Sequence, residues 1–214
     1  GINEEYNALV VRTTAAAAYF YGKEGALCEC YHSLGWSGTL QDARLIADNL
    51  LWAGIRYLVP HGFFYSTHAL KKHDAPPTLF FQMPYWPLFR HLSDRVERLL
   101  AAFDGTWIDA SVLLVEPSAG NPGREQLADF EDLQHALAAA HVDFLACDRD
   151  ILADGEIRAG KLHLRELAVD TVVVPAMRAP EPELTAWLAR FPGRILRRED
   201  FPDVATLADR KSVV

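Results

Sequence analysis

The chain has 214 residues, half of them hydrophobic and 23% charged, an ordinary globular composition with apolar material for one or two cores. Its 21 Lys and Arg stand against 29 Asp and Glu, a formal charge of -8, and no stretch gathers basic residues into the footprint that nucleic acid or an anionic membrane surface requires. A bilayer span takes about 20 consecutive apolar residues, and the apolar runs here are short ones such as Val112-Leu113-Leu114-Val115 and Val172-Val173-Val174.

The opening Gly1-Ile2-Asn3-Glu4-Glu5-Tyr6 lacks the basic start and apolar core of a signal peptide, and a start without Met reads as engineered or processed. From Ala8 to Tyr21 an alanine-rich stretch predicts a well-packed helix closed by Gly22. Ala26 to Tyr31 is a short, mostly apolar run interrupted by Glu29, the pattern of a buried strand with a functional end. Cys28 and Cys30 would then share one face, roughly 6.5–7 Å apart along an extended chain. That is poor geometry for a bridge, and with Cys147 they read as buried free thiols.

Thr39 and Asp42 make a capping-box-like start, after which Ala43, Ile46, Ala47, Leu50 and Leu51 trace one helical face that ends at Gly54. Ile55 to Pro60 follows as a second strand, which completes a βαβ signature. The segment from His61 to Pro84 is long, aromatic and proline-bearing, and structureless stretches of that length in compact domains are usually functional. Beyond it, Leu88, Leu92, Val96, Leu99, Leu100 and Phe103 mark a helix whose first turn accepts Pro87.

A boundary near Asp104-Gly105 divides a first region, 1–105, from a second, 106–214. The second runs as strand 110–115, helix about 125–140, strand 142–147, strand 171–175, helix about 181–191 and strand 194–197, an α/β pattern with a parallel sheet. Gly120-Asn121-Pro122-Gly123 lies between its first strand and helix, where α/β folds often bind phosphates. No G-x-G-x-x-G or P-loop is present, and Glu125 repels an anion there. Lys71-Lys72-His73-Asp74 reads as a solvated loop tip.

Chemistry concentrates around Glu29, which Tyr31, His32, Gly35 and Trp36 follow, while the next strand end carries His61, Phe63, Phe64 and Tyr65. A strand-end carboxylate among flat rings suits glycoside cleavage, in which charge builds on a sugar ring that aromatics can stack against. By residue pattern alone Glu29 reads equally well as a structural carboxylate paired with Arg44 or Arg56. Trp36, Phe64, Tyr65 and Trp86 could equally pack under a long loop. His32 and His61 are more ordinary as hydrogen-bonded loop or core residues than as ligands.

The run Cys28-Glu29-Cys30-Tyr31-His32-Ser33-Leu34-Gly35-Trp36, then Leu58-Val59-Pro60-His61-Gly62-Phe63-Phe64-Tyr65-Ser66, Pro76-Pro77 and Tyr85-Trp86-Pro87, resembles the distal barrel region of bacterial glycoside hydrolases of the α-L-rhamnosidase type, over roughly residues 8–103. The resemblance implies a partial (β/α)8 barrel made of its last strand–helix units. Glu29 would be one member of the carboxylate pair, and Trp36, His61, Phe64 and Tyr65 would contact a carbohydrate substrate. It also allows calcium as a cofactor, although no loop has the ligand spacing of an EF-hand.

A closed barrel needs eight strands and the reaction a second carboxylate. Glu4 and Glu5 read as solvated charges and Asp42 as a cap, so the opposing group is expected outside this chain. The expected partners are therefore the remainder of a barrel or a second copy of the chain. Ala110 to Pro117, Thr171 to Pro175 and Pro192 to Leu196 are similar to the glutamine-amidotransferase-like domains that follow the barrel in large glycosidases, which implies a small flavodoxin-like parallel-sheet domain. An amidotransferase needs a nucleophilic Cys in a glycine-flanked elbow, and Ala146-Cys147-Asp148 has no such glycines, so that domain reads as structural. Against the hydrolase fragment stands a non-catalytic α/β assembly or scaffold module.

Overall fold

A computed structural model describes residues 8–73, 76–117, 122–177 and 181–198 of the chain. Glu4, Glu5, Asp74, Gly120 and Asn121 lie outside them. Two compact units divide the fold, the first holding Lys23–Trp107 with most of the opening helix, the second Ile108 onward with Tyr19–Gly22.

In the first unit α1 (Ala8–Phe20) precedes β1 (Ala26–Cys30), α2 (Leu40–Trp52), β2 (Ile55–Pro60) and α3 (Phe89–Ala102). Gly22, at φ 65, adopts the left-handed backbone that a glycine accepts without strain just past a helix end. The Thr39–Asp42 capping box forms in full. The Asp42 amide donates to Thr39 Oγ1 at 3.2 Å, and the Asp42 carboxylate accepts from the Thr39 amide at 2.9 Å.

Strands β1 and β2 pair in parallel, with Cys28 opposite Leu58 and Glu29 opposite Val59. One face of the pair packs on helices: Ala26, Cys30 and Ile55 join Ala15 and Ala18 of α1, Ala43, Ile46, Ala47 and Leu50 of α2, and Leu92 of α3. Arg12, 1% exposed, lays its guanidinium 4.3 Å from the ring centre of Trp52 on α2. A bidentate pair from Arg95 to Asp48, at 3.0 and 2.9 Å from one nitrogen, ties α3 to α2.

The second unit contains β3 (Val112–Val115), α4 (Arg124–Ala139), β4 (Phe144–Cys147), α5 (Arg149–Ala153), β5 (Glu156–Arg158), β6 (Lys161–Leu164), β7 (Leu167–Val169), β8 (Thr171–Val174), α6 (Pro182–Leu188) and β9 (Arg194–Arg197). Strands β4-β3-β8-β9 form one wholly parallel sheet. Val112, Leu114, Val172 and Val174 are all buried in it, as parallel strands covered on both faces require.

Sequence patterning missed the antiparallel meander β5-β6-β7 and the short α5. These strands are only three or four residues long, too short for alternation to register. The turn joining β5 to β6 places Ala159 and Gly160 at positive φ, and that from β6 to β7 uses Arg165 at φ 54 in place of the expected Asn or Gly.

Candidate functional site

Because side chains alternate along a strand, the face of β1 and β2 opposite the helices carries Leu27, Glu29, Tyr57 and Val59. Glu29 is exposed there, and its apolar neighbours Leu27, Tyr57 and Val59 are 59%, 46% and 45% exposed. The expectation of a buried strand is therefore corrected for this face. One face packs on helices, and among the described residues no further layer covers the other. Nor does Arg56 pair with Glu29, because its guanidinium donates to the carbonyls of Leu51, Ile55 and Thr106.

At the C-terminal end of this pair the backbone turns abruptly. Tyr31 and Ser33 stand at φ 74 and 62, left-handed conformations that cost a non-glycine residue of order 1–3 kcal/mol and recur at functional sites. Tyr31 is buried, and desolvation holds its phenol far above the ordinary range. Pairing continues one step past β2, the His61 amide donating to the Cys30 carbonyl at 2.8 Å. His61 thereby sits beside the strand end that carries Glu29.

The His61 ring meets His32 edge-on at 6.3 Å and Phe64 at 5.7 Å. Its Nδ1 is buried with no hydrogen-bond partner among the described residues. His32 Nδ1 lies 3.2 Å from Ser33 Oγ. Tyr65, 91% exposed, presents an open ring, and Trp36 is 41% exposed. Trp86 is packing: it stacks on Phe89 at 5.7 Å and meets Phe63 and Phe80 edge-on.

Sequence reasoning overlooked Thr78 and Gln82, which anchor this loop. Thr78, fully buried, accepts from the Phe64 amide at 3.2 Å and the Phe80 amide at 3.3 Å and donates to Gln82 Oε1 at 3.1 Å. Gln82 Nε2 in turn donates to the Phe64 carbonyl at 2.6 Å. No spacing rule marks a Thr and a Gln as anchors, and the signal in hindsight is a polar pair inside an otherwise aromatic and proline-bearing stretch.

An apolar cavity of about 610 Å³ opens between β2 and α3, lined by Tyr31, Leu58, Pro60, Phe89, Leu92 and Val96. It does not include Glu29, so this cavity and the carboxylate are separate features. Among the described residues no cluster of His, Cys, Asp and Glu could hold a metal ion, and no helix is long and apolar enough to cross a membrane.

In the second unit Cys147 ends β4 and is 1% exposed, and burial pushes its thiol far above the ordinary range. A nucleophilic thiol needs the opposite environment. Cys28, Cys30 and Cys147 are all free; Cys30 is buried and its thiol pushed up to about 12, whereas Cys28 is only half-buried.

No family model and no curated protein matches the sequence. Solved structures do match by fold. A rhamnosidase from Novosphingobium sp. PP1Y superposes with a TM-score of 0.63 at 13% identity, over 96% of this chain and 22% of its own. Gan42B, a GH42 β-galactosidase, superposes with a TM-score of 0.63 at 11% identity, over 89% of this chain and 29% of its own. The fold is thus a mixed α/β architecture with parallel sheets that is shared with glycoside hydrolases. The chain spans less than a third of either neighbour's length.

Proposed function

We propose that this chain is the part of a glycoside hydrolase that contributes one reacting carboxylate, Glu29, from a partial (β/α)8 barrel. The carrying observation is the placement of Glu29: exposed, near the C-terminal end of a parallel strand, on the face that a closed barrel turns inward, with His32 and His61 at the same strand end. Glu29 would act as general base or nucleophile, and Trp36, His61, Phe64 and Tyr65 would shape a sugar subsite. The likeness in fold to a rhamnosidase and a β-galactosidase supports the assignment without naming the sugar.

Hydrolysis with two carboxyl groups holds them about 5–5.5 Å apart when it retains configuration and about 6.5–9.5 Å apart when it inverts. The opposing group would come from strands beyond those in this chain. The second unit would be an amidotransferase-like, flavodoxin-like domain without amidotransferase chemistry, a reading supported by the buried, unreactive Cys147. That same thiol is what favours the alternative, an α/β assembly or scaffold module, for the second unit taken alone.

The test is a Glu29→Gln variant in the longer protein of which this chain would form a part. An amide neither ionises nor takes up a proton as a base, so turnover of an aryl rhamnoside or galactoside should fall by a factor of about 10² or more with the fold intact. Near-wild-type turnover by that variant would remove Glu29 from the mechanism.

A further inference from the structure

Tyr65 is 91% exposed in a loop, and an exposed loop residue ordinarily moves with its backbone. The chain immediately before it is held differently. Both backbone groups of Phe64 are bound by side chains, one fully buried and one half-buried: its N–H by Thr78 Oγ1 at 3.2 Å and its carbonyl by Gln82 Nε2 at 2.6 Å. Those two side chains are joined by the hydrogen bond from Thr78 Oγ1 to Gln82 Oε1 at 3.1 Å, and two residues earlier the Gly62 carbonyl accepts from the Leu79 amide at 2.9 Å. Thr78 is fully buried, so water does not compete for its hydroxyl.

We propose that Thr78 and Gln82 are positioning residues, a clamp that fixes the backbone of Phe64 and so presents Tyr65 as a preformed stacking edge for a pyranose ring. The inference rests on the glycoside-hydrolase reading of the site. Its physical basis is entropic. An aromatic ring on a fixed backbone has only its two side-chain torsions left to order when a sugar stacks on it, whereas a free loop would also lose backbone freedom at about 1–2 kcal/mol per residue. The clamp also holds the Phe64 ring at the edge of His61, 5.7 Å between centres, which limits how His61 can turn.

The experiment uses the 214-residue chain with two isosteric changes, Thr78→Val and Gln82→Leu, the conservative Thr78→Ser, and Tyr65→Ala. Hydrogen exchange at the amides of Gly62 to Ser66 reads the clamp, and titration with L-rhamnose and D-galactose reads the subsite. Thr78→Val and Gln82→Leu should speed exchange at Phe64 by about tenfold or more and weaken sugar binding by roughly five- to tenfold, while exchange in β3 and β8 stays unchanged. Thr78→Ser, which keeps the hydroxyl, should restore both, and Tyr65→Ala should lose binding without freeing the loop.

Unchanged exchange in the Val and Leu variants overturns the clamp. Faster exchange with wild-type affinity overturns its positioning role. Wild-type chain that binds neither sugar at tens of millimolar overturns the sugar-subsite role of Tyr65 instead, an outcome distinguished from the first because the exchange measurement does not depend on sugar.

Discussion

Three cysteines in one chain meet three environments, and their thiols should report them. Cys28 is half-buried, whereas Cys30 and Cys147 are buried, and desolvation raises all three thiols above the ordinary range. A disulfide reagent at pH 8 should therefore label Cys28 first and reach Cys147 only on unfolding; rapid native labelling of Cys147 would contradict its burial on β4. At the start of α2, the hydrogen bonds from Thr39 hold the Asp42 carboxyl below its ordinary value of 3.8. A depressed carboxyl stabilises the fold above its unfolded value and loses that contribution as pH falls through the folded one. Thr39→Ala should accordingly cost about 1 kcal/mol at neutral pH, and urea unfolding should find a smaller difference below pH 3. Both partners were legible in the sequence because a capping box is local in the chain. Thr78 and Gln82 were not, because their role depends on Phe64, which lies 14 and 18 positions away.

At the scale of elements, the turn into β9 is the least forgiving point. A Cβ on Gly193 would collide with the Asp170 carbonyl oxygen, which accepts from the Arg194 amide at 2.7 Å, and with the Phe191 ring. Gly193→Ala should therefore lower the thermal midpoint of the second unit by several degrees, corresponding to about 1–3 kcal/mol; an unchanged midpoint would show that β9 shifts freely. The tie from Arg95 to Asp48 is partly solvated, with side chains 40% and 32% exposed, so screening limits it. Asp48→Ala should cost only about 0.5 kcal/mol, and less in high salt.

For the whole molecule, the decisive feature is a parallel pair whose second face is bare. Under the proposed function a single reacting carboxylate would lack the opposing acid or base, and an open site would leave water among the charges. Purified chain should therefore show no hydrolysis of aryl rhamnosides, galactosides or glucosides above background, with or without calcium. Turnover that vanished in Glu29→Gln would show instead that a complete site assembles. Leu27, Tyr57 and Val59 on the bare face, with open strand edges beside them, are the kind of surface that associates. Sedimentation should detect concentration-dependent self-association, and a monomer across the whole range would count against it.

What the sequence determined by itself is the order of elements outside α5 and the β5-β6-β7 meander. The period of Ala43 to Leu51, the strand patterns at 110–115 and 171–175 and the cap at Thr39 are local, and the structure has an α-helix at Leu40–Trp52 and strands at Val112–Val115 and Thr171–Val174. Tertiary structure alone decided which faces are covered. Glu29 is exposed because β1 and β2 have one helix-packed face and, among the described residues, no layer opposite. Trp86 packs while Tyr65 stands open because Phe63, Phe80 and Phe89 converge on the former. Burial is a property of neighbours distant in the chain, and no window along the sequence contains them.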